Sequence, residues 1–278
     1  MRLGIHMPLK GGFENNISRV KAIGCETVQL FPGNPTGWRL GAPDPDLLEK
    51  RASFLEEQQI YPLIVHSAYL INLASPSPDF LEKSKLLLQG TMERAAMYRS
   101  PYVVLHTGNH GGQGVDRGIA QIIEAIEAAL PQWPPSVKLL LENTAGSGTA
   151  LGSHLEELAA ILKSFPPGTL GFCFDTAHAW AAGYDCGSRE GIAALLDQFE
   201  SKIGLEHLLA IHINDSKAAL GSRVDRHEHI GRGAIGLEGF KALLHHHWPA
   251  GFPFILETPE IGTDWDRVNL ETVRALLE

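Results

Sequence analysis

The chain has 278 residues, 44% hydrophobic and 20% charged, with a formal net charge of −9. That balance allows a large buried core and excludes wholesale disorder, while the acidic excess by itself disfavours a phosphate-rich partner. No apolar run approaches the roughly 20 residues of a membrane helix, and MRLGIHMPLKGG lacks the apolar stretch of a signal peptide, so a cytoplasmic chain with no membrane association is expected.

In chain order, RLGIHM (2–7) and TVQLF (27–31) read as short buried strands. The amphipathic DLLEKRASFLEEQQ (46–59) follows, with apolar residues recurring every three or four positions as in a helix. The same alternation repeats with PLIVHS (62–67) before FLEKSKLLLQGTMERAAMY (80–98), and YVVLHT (102–107) before IAQIIEAIEAAL (119–130). KLLLEN (138–143) precedes SHLEELAAILKSF (153–165), where Ser153 and Glu156 have the spacing of a capping box. LGFCFD (170–175), LLAIHIN (208–214) before GFKALLHHH (239–247), and FPFILET (252–258) complete eight strands, alternating with eight expected helices. Near-continuous apolar strands suit a parallel sheet covered by helices. At about 35 residues per unit the whole of 1–278 fits one α/β domain, a (β/α)8 TIM barrel. An open doubly wound sheet is the alternative. Cys25, Cys173 and Cys186 are too scattered for a disulfide framework or a thiolate metal site.

The strand ends favour the barrel. His66, His106, Glu142, Asp175, His212 and Glu257 lie at or near the ends of six consecutive strands, 33 to 45 residues apart. In a closed barrel they converge at the C-terminal mouth, where barrel active sites lie. In an open sheet they would be strung along one edge. His178 follows Asp175 by one helical turn, and Asp225 and His227 share one face of an extended segment. Five imidazoles and four carboxylates make nine candidate metal ligands, a nitrogen and oxygen set suited to zinc and too large for one ion.

HSAYLINLAS (66–75), GFCFDTAHAWAAGYD (171–185) and HINDSKAALGSRVDRH (212–227), with ENTAG (142–146) and LETP (256–259), resemble the signature segments of the endonuclease IV family of zinc-dependent abasic-site endonucleases, a xylose-isomerase-like barrel family. The resemblance implies three zinc ions per chain. His66, His106 and Glu142 would hold the first, Glu142, Asp175, His212 and Glu257 the second, and His178, Asp225 and His227 the third. It further implies catalytic roles for Glu257, which would orient or deprotonate the attacking water, and for the bridging Glu142. The implied substrate is duplex DNA containing abasic sites, cut to a 3′-hydroxyl and a 5′-deoxyribose phosphate by a monomeric enzyme. Two positions depart from the pattern: Ala177 stands where a cysteine is usual, and Thr107 where proline is common. The loop NPTGW (34–38) aligns with a segment that can insert an arginine into DNA, and here it offers Thr36. Tyr69 and Leu70 match residues that wedge into the minor groove; their bland reading is a core pair at the barrel rim.

Three zinc ions would bring the formal charge from −9 to about −3, answering the electrostatic objection to DNA. Lys217, Arg223, Arg226 and Arg232 share the loop that carries Asp225 and His227, and are expected to meet phosphate. The alternative function is a single-metal sugar isomerase or epimerase of the same barrel class, which would need only Glu142, Asp175, His212 and Glu257; a protein that holds damaged DNA without cutting it is a third reading. GRGAIG (231–236) matches GxGxxG but follows no strand, so a dinucleotide site is not expected. His245–His247 are expected at the surface, and His6 is given no ligand role.

Overall fold

A computed structural model of the chain describes every residue except Leu9. Eight parallel strands close into a barrel: β1 (Arg2–His6), β2 (Thr27–Leu30), β3 (Leu63–His66), β4 (Tyr102–His106), β5 (Lys138–Glu142), β6 (Leu170–Asp175), β7 (Leu208–His212) and β10 (Pro253–Leu256). They pair in chain order, and β10 closes the ring against β1. The strands are mostly apolar and buried on both faces, as a sheet wrapped by helices requires. The remaining strands, β8 (Asp215–Ser216) and β9 (His227–Glu228), form a two-residue antiparallel ladder in the long connection after β7.

Among the described residues there are nine α-helices, one more than strict alternation predicts. They are α1 (Phe13–Ala22), α2 (Pro45–Glu57), α3 (Pro78–Met97), α4 (Val115–Ala129), α5 (Leu155–Leu162), α6 (Thr176–Ala182), α7 (Arg189–Lys202), α8 (Leu237–Leu244) and α9 (Asp264–Ala275). The additional element is α6, which grows directly from β6 because the Asp175 side chain caps it, accepting from His178 N–H at 2.7 Å. The expected capping box at Ser153 does not form. Helix α5 starts at Leu155 with His154 as a cap that makes no side-chain bond. Glu157 instead accepts from Gly152 N–H, and Glu156 turns out to Lys202. Among the described residues no helix is long and apolar enough to cross a membrane.

The barrel interior is layered. Ile64, Val104, Leu140, Cys173, Ala210 and Ile255, one from each of six neighbouring strands, form a fully buried cluster separate from the larger core beneath the helices. Side chains two residues apart on a strand share a face. The next layer up is therefore His66, His106, Glu142, Asp175, His212 and Glu257, and the same register places His6 and Gln29 in it from β1 and β2.

Candidate metal centre

This polar ring has its hydrogen bonds arranged in two shells. His66 Nδ1 donates to the Ser67 carbonyl at 2.7 Å, and His227 Nδ1 to the Glu257 carbonyl at 2.9 Å. Gln29 fixes a third imidazole: its amide nitrogen donates to Glu257 Oε1 at 2.6 Å, an acceptor-only carboxylate, which turns its oxygen toward His212 Nε2 at 2.8 Å. Each of these rings spends its outer N–H on a carbonyl oxygen, leaving the inner nitrogen as a lone pair. This is the second-shell orientation typical of metal-bound histidine.

The inner nitrogens face carboxylates. His66 Nε2 and His106 Nε2 lie 3.2 and 3.0 Å from Glu142 Oε2. His212 Nδ1 lies 3.0 Å from Glu142 Oε1 and 3.2 Å from Glu257 Oε2. His178 Nε2 and His227 Nε2 lie 3.2 and 3.4 Å from the two oxygens of Asp225. His178 Nδ1 and His227 Nε2 are buried without a hydrogen-bond partner among the described residues. Lone pair against lone pair in a buried site is repulsive unless a cation lies between. Protons supply part of that charge in the metal-free protein, where the pKa values of His178 and His212 rise well above the usual imidazole range. For both, burial opposes the charge. Asp175, Asp225 and Glu142 outweigh it around His178, and Cys173, Glu257 and Glu142 around His212. Glu142 and Glu257 are held well below the carboxylate range despite burial, chiefly by His106 and His212 around Glu142 and by His212 around Glu257.

Three groups have ligand atoms close enough to hold an ion: His66, His106 and Glu142; Glu142, Asp175, His212 and Glu257; and Asp175, His178 and His227. The first two are the sets expected from sequence, and they share Glu142. The third differs in one member. Asp175 Oδ2 stands 3.8 Å from His227 Nε2, so it faces the third group as well as the second, while Asp225 reaches both histidines from a half-exposed position. Burial pushes the Asp225 carboxyl up, but His178 overrides it and holds the carboxyl at about 2. The Cys173 thiol, pushed up to about 12 by burial, leaves imidazole and carboxylate as the donors.

Around the mouth, Tyr69 is 56% exposed, which rejects a core role for it. Its ring meets Phe31, His66 and His106 edge-on or tilted. Leu70 beside it is half-buried. Thr36 is exposed in a loop tied to Tyr69, whose N–H donates to the Pro35 carbonyl. Ala177 is buried, and Thr107 donates to the Leu151 carbonyl. The four basic residues of the long loop are exposed but differ in setting. Lys217 lies 3.8 Å from Glu228, Arg226 donates to the Asp225 carbonyl, Arg223 is tied through its N–H to Ala181 in α6, and Arg232 stacks on Trp265. His245 and His247 are exposed, past the end of α8.

Four contributors escaped the sequence reading. Gln29 and His6 complete the ring, and His6 stays neutral, its pKa lowered by burial. Asn214 donates to Asp175 and accepts the Glu257 N–H. Asp215 gathers the N–H groups of Ser216, Gly231, Gly233 and Ile235. For Gln29 and His6 the period-2 register of their strands was the available signal.

Comparison with known proteins adds to this geometry. The family described as xylose isomerase-like TIM barrel matches residues 17–277. The "Probable endonuclease 4" of Natranaerobius thermophilus is 46% identical over 279 residues, covering 100% of this chain and 98% of its own. The crystal structure of endonuclease IV from Thermus thermophilus is 34% identical and superposes with a TM-score of 0.87, covering 100% of this chain and 99% of that one. A D-tagatose 3-epimerase-like protein, 20% identical with a TM-score of 0.73 and covering 100% of this chain and 97% of its own, shares the fold.

Proposed function

Because the chain belongs to the endonuclease IV family, we propose that it is a DNA repair endonuclease that hydrolyses the phosphodiester 5′ to abasic sites in duplex DNA. It does so with three zinc ions per chain and leaves a 3′-hydroxyl and a 5′-deoxyribose phosphate. The observation that carries this reading is the set of inner imidazole nitrogens facing only carboxylate oxygens in three adjoining groups. A single-metal epimerase needs one such group. His66, His106 and Glu142 would hold the first zinc, Glu142, Asp175, His212 and Glu257 the second, and His178, Asp225 and His227 the third, with Asp175 supporting the last. Zinc held there supplies Lewis acidity toward a phosphodiester and lowers the pKa of water.

The protein's own groups do the rest. Glu257, fixed through Gln29 and Asn214, orients the attacking water and accepts its proton, and Glu142 sets the spacing of the first two groups. Tyr69 and Leu70 fill the space left by the missing base. Lys217, Arg223, Arg226 and Arg232 meet backbone phosphates, with Arg226 nearest the cleaved one. The abasic nucleotide is selected because it leaves the stack at the lowest cost.

The test uses purified protein, a duplex carrying a tetrahydrofuran abasic analogue, and no added magnesium. Cleavage is expected with about three zinc per chain, to be abolished by prolonged chelation and restored by zinc. Full activity in verified metal-free protein overturns the mechanism. One zinc per chain with no cleavage supports the epimerase reading instead.

A further inference from the structure

The connection from β2 to α2, residues 31–44, holds no helix or strand, and its length is near the ~12–15 residues beyond which such loops are usually functional. Its outward part, 32–41, returns to where it began. Arg94, in the last turn of α3, donates to the Pro32 carbonyl at 3.0 Å and to the Leu40 and Gly41 carbonyls at 2.6 and 2.9 Å. One guanidinium therefore spans both ends of the excursion. The tip between them closes on itself: Asn34 accepts from the N–H and hydroxyl of Thr36, and Gly37 N–H donates to the Asn34 carbonyl.

Among the described residues, four hydrogen bonds join 32–41 to the rest of the chain. Three come from Arg94, and one runs from Tyr69 N–H to the Pro35 carbonyl at 3.0 Å. Trp38 and Leu40 add apolar contact with the core. Arg94 is 9% exposed, and its side-chain hydrogen bonds go to carbonyls, none to a carboxylate. A buried cation with no anion beside it carries a desolvation cost that an aliphatic side chain would not. Filling the space does not require a cation. What the guanidinium supplies is a rigid planar fork that holds two chain segments at a fixed separation, and Tyr69 is the polar attachment on the other side of the segment so held.

Taking the chain as an abasic-site endonuclease whose Tyr69 enters the duplex, we infer that Arg94 is a positioning residue for DNA recognition: its clamp on both ends of 32–41 holds the Pro35 carbonyl against Tyr69 N–H and so sets where that exposed ring stands before DNA arrives. Arg94 acts through the loop and touches no substrate itself. Phe31, which leads into the clamped segment, meets the Tyr69 ring at 5.1 Å, a second contact from the same connection. A ring fixed in advance loses little entropy on insertion; without the clamp, that ordering cost falls on binding. None of the nine candidate metal ligands lies in 31–44 or on α3, so releasing the clamp should weaken DNA binding and spare the metal.

The experiment is a double-mutant cycle on zinc-loaded protein, with affinity for a tetrahydrofuran-containing duplex, single-turnover cleavage at saturating protein and zinc content read for each variant. Arg94→Met keeps an unbranched stem and removes the fork. It should weaken affinity by roughly 10-fold, inside the 5- to 150-fold that one stacking contact supplies, with zinc content and the cleavage rate of bound duplex near wild type. In a Tyr69→Ala background the same change should cost less than about 2-fold, whereas independent effects would multiply. Arg94→Lys keeps the charge but cannot span both ends of the loop, so it should lose affinity as Arg94→Met does. It is also the variant to use if melting shows that Arg94→Met does not fold. Hydrogen exchange should quicken in 32–41 and not in the barrel strands. Wild-type affinity in Arg94→Met or Arg94→Lys, an equal loss with and without Tyr69, or loss of zinc overturns the positioning role while leaving abasic-site cleavage standing. A wild-type protein that neither binds nor cuts the abasic duplex removes both readings.

Discussion

Glu257 is held from several sides of the ring. Its carboxylate takes the Gln29 amide at 2.6 Å, stands 3.4 Å from His6 and 3.2 Å from His212, and its own N–H is tied to Asn214. Three partners around the carboxylate and one on the backbone fix its direction, as either a metal ligand or a proton acceptor needs. Glu257→Gln keeps the size and one oxygen donor but removes the charge and the basic lone pair. Turnover on abasic duplex should fall by roughly 10²–10⁴-fold, with duplex affinity retained and zinc counted in the same preparation. Three zinc per chain with near-normal turnover would move the acceptor role to another residue. Glu257 was legible as a carboxylate ending an apolar strand, but Gln29 was not. A glutamine inside TVQL reads as an ordinary polar interruption until the closed barrel shows that it shares a layer with Glu257 across β1.

At the scale of elements, the connection after β7 is the least regular part of the chain and the one that carries Asp225 and His227. It is held by one buried carboxylate. Asp215 accepts from Ser216, Gly231, Gly233 and Ile235 at 2.8 to 3.0 Å, so the glycine-rich GRGAIG wraps an internal anion and not an external phosphate. The two glycines are required there. Gly231 has a left-handed φ of 76°, and a Cβ on Gly233 would overlap the Asp215 carboxylate. The β8–β9 ladder then pairs Ser216 with His227, which fixes a ligand of the third group relative to the barrel. Asp215→Ala leaves four N–H groups without their acceptor, at about 1–3 kcal/mol for each that stays buried. The expected outcome is a lower melting temperature and loss of one zinc of three, the first two groups being carried by barrel strands alone. A variant that keeps three zinc and the wild-type melting temperature would show that the ligand loop is held by other contacts. The alternation of strands and helices was readable because it rests on local periodicity. The wrap around Asp215 was not, because it joins residues up to 20 positions apart through backbone N–H groups that leave no trace in side-chain pattern. The same limit hid α6, a two-turn helix whose stop and start signals lie inside a ligand motif.

The whole molecule couples metal to proton. The barrel brings eight strand ends to one mouth and buries acidic groups there that only cations can neutralise. In metal-free protein that charge comes from His178 and His212, whose pKa values lie well above the ordinary 6.5. A raised folded-state pKa gives stability that is fully present below the unfolded value and lost as pH rises through the folded one. Above about pH 6.5 the unfolded chain releases these protons while the metal-free fold still holds them, so the metal-free fold weakens by up to roughly 1.4 kcal/mol per pH unit for each group. The zinc-loaded fold behaves differently, because its ligands have already shed their protons. The difference in melting temperature between zinc-loaded and chelated protein should therefore widen from about pH 6 to about pH 8. Calorimetry of zinc binding near neutral pH, run in two buffers of different ionisation enthalpy, should show net proton release in the same range. A melting-temperature gap that stays constant or narrows with pH, or zinc binding without proton release, would mean that the buried imidazoles are neutral in the metal-free protein and that the ring holds no proton for zinc to displace.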